Sequence, residues 1–431
     1  MNNRLNISKI KKPIAYRFCA MVAGVSISLF ASAAPDEQPS SLSLSQAVTM
    51  TLNLHPDVKA LVSQEAVLDG RIRQAGIGDR PEIGLMIEDG VGTGNYSGVK
   101  SAQTTLSYSW VLQQALLDSR VNAAESEVAA LDAAKKIKAL DLSAIVARHY
   151  IDYLVKQERL RLFEMAERQA EEVVDAIAKR VDAGKSSTVE MELARAELIR
   201  RQLAVEDIRH EIKASLYQLT ALWGEAGKAY TFSGDLRVLP EVPSVETQLA
   251  LLKQNPNLQR FVSEQRIAQS QVELARIEAK PQWQFSAGLR RYETTNDFGF
   301  VAGVSVPWGD TNRNAGKIAS LQAQQNVLAS EQAAMMQKLD AQLYVLLQEM
   351  AHSHHVIETI QTAIVPTLER ALSQASDAFD KGQLNYNQYN NVRQELLDAQ
   401  SQLLDAYENL HLEHIEIQRL TGTSISKRNT L

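Results

Sequence analysis

The stretch Leu106-Ser107-Tyr108-Ser109-Trp110-Val111-Leu112 alternates bulky apolar side chains with small ones, and no proline appears between it and Gly184. A period of two belongs to a strand with unlike faces, whereas a long proline-free run rich in Ala, Leu, Glu, Lys and Arg belongs to a helix. The chain therefore passes directly from a short strand into a helix over about residues 112–183, on the order of 100 Å long at 1.5 Å per residue. Gly184 suits a left-handed helix stop, and Lys185-Ser186-Ser187-Thr188 suits a restart. The run from Thr188 to Trp223 places Val205, Ile208, Ile212, Leu216 and Leu219 on one stripe. Such a stripe packs along a partner, giving an antiparallel helical hairpin with its tip near 184.

Upstream, Ile83, Leu85 and Ile87 alternate with Glu82, Gly84, Met86 and Glu88. Strands are thus expected at about 82–90 and 102–112, joined through a loop rich in Gly and Asn between Gly90 and Gly98. Helical periodicity before them starts at Leu44 and breaks at Pro56. All of this then recurs: Pro56 returns as Pro256, Arg80-Pro81 as Lys280-Pro281, Gly184 as Gly382 and Leu219-Thr220 as Leu420-Thr421. Residues 44–223 and 244–421 are two copies of one unit, separated by a linker of Gly and Pro at 224–243. At about 200 residues the unit is far longer than a solenoid repeat of ~20–50. The second copy carries expected strands at about 282–291 and 298–308, then a helix from about 314 to 381 interrupted only at Pro366. A hairpin tip near 382, a return helix to Leu420 and a tail at 422–431 complete it.

Residues 1–33 hold Arg4, Lys9, Lys11, Lys12 and Arg17, an apolar run from Phe18 to Phe30, and Ala31-Ser32-Ala33. That order is a secretory signal peptide, followed by a polar linker at 34–43. Loss of those cations makes the exported chain more acidic than the −6 of the full sequence, which argues against a nucleic-acid partner. Cys19, the single cysteine, falls in the leader, ahead of the apolar run where a lipid-attachment cysteine would follow it. The mature chain then holds no disulfide and no cysteine-ligated metal.

The expected fold class is mainly α with a small β part. In a soluble protein the apolar strand faces would be buried against helices. An export signal, strand lengths near the ~9–11 residues of a bilayer-crossing strand, and the aromatics Tyr108, Trp110, Trp283 and Trp308 favour a transmembrane β-barrel instead. Four strands cannot close a barrel, so chains must associate: two copies would give a filled eight-stranded interior, three a twelve-stranded one with a lumen.

The duplicated order of helices, strand pair and long helical hairpin resembles the TolC-type outer-membrane efflux protein family over residues 42–422. Ala47 to Pro56, the run Ala302-Gly303-Val304-Ser305-Val306-Pro307-Trp308 leading into Asn312-Arg313-Asn314-Ala315-Gly316, and the matched turns at Gly184 and Gly382 carry the resemblance. The Pro-Trp to Asn-Arg-Asn signature is most similar to the heavy-metal and cation branch. The resemblance implies a homotrimer with a twelve-stranded barrel in outer-membrane lipid and a periplasmic α-helical barrel. It also implies a periplasmic membrane-fusion adaptor and an inner-membrane efflux transporter as partners. In that family acidic side chains just past the hairpin glycines ring a periplasmic gate. Glu190 matches that character, whereas Gln388 and Asn391 stand where aspartates are usual, which implies an amide-lined gate.

Gly184-Lys185-Ser186 lacks the first glycine of a phosphate loop, and His210-Glu211 lacks the second histidine of a zinc-protease helix. His352/His355 and His411/His414 pair at helical spacing, which could bind a transported metal, although solvated helix faces are the expected account. No catalytic group, cofactor or resident metal is expected. The rival reading is a soluble periplasmic coiled-coil adaptor, which predicts buried strands and one hairpin per chain.

Overall fold

A computed structural model describes residues 41–310 and 312–425. The leader expected at 1–33, with Cys19, lies outside them, as do most of the 34–43 linker and the end of the tail.

β1 (Ser41–Leu42) leads into α1 (Leu44–Leu54), and α2 (Pro56–Ala75) follows. Ser43 starts α1 by a reciprocal cap: its hydroxyl accepts from the Gln46 N–H, and the Gln46 side chain accepts from the Ser43 N–H at 2.8 Å. His55 Nδ1 caps α2 by accepting from Asp57 N–H at 3.1 Å, with Pro56 at the first helical position, where no N–H is needed. β2 (Glu82–Glu88) and β3 (Gln103–Leu112) come next, then α3 (Gln114–Asp182), which runs for 69 residues, and α4 (Thr188–Ala221). β4 (Thr231–Phe232) separates the copies.

The second copy opens with α5 (Val245–Leu252) and α6 (Pro256–Glu278), capped by Asn255 in place of His55. β5 (Trp283–Tyr292), β6 (Asp297–Ser305), α7 (Ala315–Thr359), α8 (Val365–Asp380) and α9 (Tyr386–Thr421) complete the described chain. β6 stops short of the 308 expected from alternation, since Pro307 has no N–H to give a ladder. The helix expected to break only at Pro366 instead widens ahead of it. Ile360–Ile364 form one π turn, in which Val365 N–H bonds the Ile360 carbonyl five residues back. Widening eases the proline ring past the preceding carbonyls, and the helix continues.

β2, β3, β5 and β6 make one antiparallel sheet in that order. Among the described residues the outer edges of β2 and β6 have no ladder partner. The main core sits where the helices of both copies meet, around Tyr150, Ile151, Leu219, Leu343, Met350 and Leu410. Tyr150 is fully buried, and its hydroxyl serves the carbonyls of Leu42, at 2.8 Å, and Ser233. Burial pushes that phenol up to about 12. The same hydroxyl fastens β1 and β4, which pair in parallel, onto α3.

Candidate functional site

Pairing in the sheet fixes which side chains share a face. Ile83 lies opposite Tyr108 and Leu85 opposite Leu106; Leu106 in turn faces Leu289, Trp110 faces Phe285, and Leu289 faces Phe300. Paired residues project to one side, so the bulky apolar set forms a single continuous surface. It is exposed in the chain, Ile83 at 77% and Phe300 at 94%. Toward the helical end its rings gather, with Trp110 stacked on Phe285 at 5.8 Å and Phe285 on Trp283 at 6.4 Å. An aromatic band at one margin of an apolar wall is the pattern of a membrane-facing sheet at the lipid–water boundary. No described helix is long and apolar enough to cross a membrane.

The opposite face is mostly small or polar, with Met86, Val111 and Val301 the apolar exceptions. Gly84, Ser107 and Gly288 share one row there, and Ser109, Ser286 and Gly303 another. A Cβ at Gly288 would meet the Leu106 carbonyl oxygen at 2.7 Å, and one at Gly303 the Ser286 hydroxyl at 2.6 Å, so these two positions are tight for any side chain. Nearer the interstrand loops, Arg290 spans from β5 across β3 to β2. Its Nε donates to Thr105 Oγ1 at 2.9 Å, Nη1 to Gln103 Oε1 at 3.0 Å and Nη2 to Glu88 Oε2 at 2.6 Å.

At the other extremity are the two hairpin tips. Gly184 and Gly382 hold φ of +66° and +76°, a region that admits glycine at little cost. Each tip closes alike: Lys185 N–H bonds the Arg180 carbonyl at 2.7 Å, and Gln383 N–H the Ala378 carbonyl at 2.8 Å. Glu190 is half-buried and engaged within its own chain. Its carboxylate accepts from Ser187 N–H at 3.2 Å and, across the tips, from Tyr386 N–H at 3.4 Å. Gln388 occupies the equivalent place in α9, its amide oxygen accepting from Asn385 N–H at 3.1 Å. Gln388 and Asn391 are both exposed.

Sequence reasoning passed over the residues that join the tips. Arg180 Nη1 donates to the Phe379 carbonyl at 2.6 Å, and its guanidinium lies 4.5 Å from the Phe379 ring centre. The first hairpin thus offers a cation to the C-terminal end of α8 and a carboxylate to the N-terminal end of α9, each matching the sign of the helix dipole. Phe379, Tyr386, Ile177 and Met191 pack beneath as a small separate core. The available signal was asymmetry between the copies, since Ala378 stands where Arg180 would recur. Farther along, a groove of about 470 Å³ between α3 and the second hairpin is edged by Glu172, Glu369, Asp380 and Arg393. Burial, with Arg201 beside it, lowers the Arg393 guanidinium from its ordinary value.

The histidine pairs separate. His352 and His355 are exposed, in keeping with a solvated face. His411 and His414 do not fit that account. His411 is buried with Nε2 2.9 Å from the Leu236 carbonyl oxygen, and both ring nitrogens of His414 are enclosed with no hydrogen-bond partner. Burial lowers His411 and takes His414 down to about 4, so both are neutral at pH 7. Helical spacing cannot reveal that α9 turns this face toward the rest of the fold. Among the described residues no group of three or more His, Cys, Asp or Glu is arranged to hold a metal.

With this geometry in view, residues 47–225 and 249–423 each match the outer membrane efflux protein family. The chain is 25% identical over 389 residues to the cobalt-zinc-cadmium resistance protein CzcC of Cupriavidus metallidurans, covering 90% of this chain and 92% of that one. Over 269 residues it is 26% identical to the nickel and cobalt resistance protein CnrC of the same organism, 61% of this chain and 63% of that one. Its fold superposes on CusC with a TM-score of 0.73 at 16% identity, covering 92% and 96% of the two chains. The outer membrane protein VceC of Vibrio cholerae gives 0.69 at 16%, covering 89% and 96%. Two hairpins per chain and an exposed apolar sheet exclude the soluble adaptor. A two-faced sheet carried on two long hairpins, matched to the family in both its copies, makes this chain a member of the outer membrane efflux protein family and an outer-membrane channel for efflux.

Proposed function

We propose that three copies of this chain close head to tail into one twelve-stranded barrel above a periplasmic helical tube, forming a passive exit duct for divalent metal cations. The observation that carries this reading is the four-stranded sheet, apolar on one face, with β2 and β6 left open at its margins. In lipid each unpaired backbone group costs several kcal/mol, so an open edge must find another strand. Repeating β6-to-β2 contacts between copies satisfies every edge, and three copies leave room for water where two would not. The metal cargo is supported by the resistance names of the relatives, which span cobalt, zinc, cadmium and nickel. A duct of this kind supplies no energy; a periplasmic adaptor and an inner-membrane transporter deliver the cargo. Closure belongs to the hairpin tips, where Gly184, Glu190, Gly382, Gln388 and Asn391 lie near the end of the tube.

Cross-linking and native mass measurement in detergent test the assembly: a trimer is expected, and a stable water-soluble monomer refutes it. Deleting the gene tests the cargo. Sensitivity should rise for cobalt, zinc, cadmium or nickel salts and not for dyes, detergents or antibiotics; the reverse pattern overturns the metal assignment.

A further inference from the structure

The polar face of the sheet carries the carboxylates Glu82, Glu88 and Asp297, and a single cation, Arg290. Three oxygens from two strands converge on that guanidinium, from Glu88 at 2.6 Å, Gln103 at 3.0 Å and Thr105 at 2.9 Å. Gln103 reaches onward, its Nε2 donating to Asp89 Oδ2 at 2.9 Å. On the β6 side the opposing residue is Gly299, which adds no ligand of its own and is overlain by the Tyr292 ring, 3.2 Å from where a Cβ would stand. Carboxylate, amide and hydroxyl oxygens gathered at such distances are what hard divalent cations take as ligands. Arg290 sits where such a cation would sit, at the loop end of the sheet, which is the end farthest from the helices.

We propose that Arg290 is a release residue: by filling this oxygen cradle it keeps the outer mouth of the channel from trapping the cations that leave through it. Conduction needs binding weak enough to let go, and an uncovered Glu88 beside Gln103 and Asp89 in each copy would hold a divalent ion at the last step. The inference rests on the barrel with a water-filled lumen and on cation cargo.

Planar-bilayer recording of the purified full chain tests it, using Arg290→Ala, Glu88→Gln and the double variant, with folded oligomer verified by gel mobility. Arg290→Ala should raise the potassium-over-chloride permeability ratio about twofold or more and introduce block by millimolar cobalt, which accepts oxygen ligands. Glu88→Gln, which frees the guanidinium, should lower the ratio, and the double variant should lose the cobalt block. Should Arg290→Ala fail to assemble, the near-isosteric Glu88→Gln decides alone. Wild-type ratio and no block in every variant overturn the assignment to Arg290, whereas wild-type protein that never forms a conducting pore overturns the barrel beneath it.

Discussion

Replacing Arg180 by Ala should loosen the two hairpin tips, leaving the Glu190–Tyr386 bond and the small shared core in place. The guanidinium makes a charge-assisted bond to the Phe379 carbonyl at 2.6 Å, a bond to the Ser186 hydroxyl at 3.1 Å and a stack on the Phe379 ring at 4.5 Å. A hydrogen bond from a charged donor contributes about 1.5–3 kcal/mol and an exposed cation–π contact about 0.5–1 kcal/mol. Arg180 is only half-buried, so solvent takes up part of that sum, leaving about 2 kcal/mol. Such a loss corresponds to ~30-fold in a local opening equilibrium. The turn amides of Gly382 and Gln383, bonded to the Phe379 and Ala378 carbonyls at 2.9 and 2.8 Å, report on it directly. Hydrogen exchange of the detergent-solubilised protein should show them opening up to ~30-fold faster in Arg180→Ala, with the amides around Leu343 and Met350 unchanged. Equal exchange at 382 and 383 in both proteins would refute the latch; acceleration everywhere would mean Arg180 supports the whole fold.

Gly184→Ala has open space around its Cβ and suffers only from the φ of +66°, so it should cost about 1 kcal/mol and leave assembly intact, readable as a small drop in melting temperature. Leu343→Ala opens a cavity in the fully buried central core and should cost about 2–5 kcal/mol, reducing the yield of folded protein in the outer membrane. Glu413 bonds Ser353 Oγ at 3.0 Å, and burial, with Glu349 nearby, raises its carboxyl to about 7. Its folded pKa exceeds the unfolded one, so stability is greatest below about 4.5 for this group and declines as pH rises toward 7; Glu413→Gln should flatten the slope of melting temperature over that window.

Alternation made the sheet legible because a period of two is a local property. The set Leu106, Tyr108, Trp110 and Leu112 identifies one face without any knowledge of its neighbours, and pairing then carries Leu289 and Phe300 onto the same face. The long helices were legible for a similar reason, the absence of proline before Gly184. What escaped was decided by tertiary packing. The π turn at 360–364 answers a strain that depends on backbone placement before Pro366. Burial of His411 depends on the Leu236 carbonyl, far away in sequence, and Arg180 acquires its part only because the second hairpin lies alongside the first. Glu190 was legible only as an acid past a turn that matches the character of gate residues; that its oxygens also accept from the Ser187 and Tyr386 N–H groups is a matter of packing.

The capping carboxylate of the first hairpin has an amide, Gln388, as its counterpart, and the cation Arg180 has a methyl group, Ala378. Duplication gave the periplasmic end two lips of one shape, and these substitutions gave them different chemistry. In the proposed trimer these two lips would alternate around the rim, differing at the Glu190/Gln388 and Arg180/Ala378 positions, so a partner docking there would have a chemical means of telling one from the other.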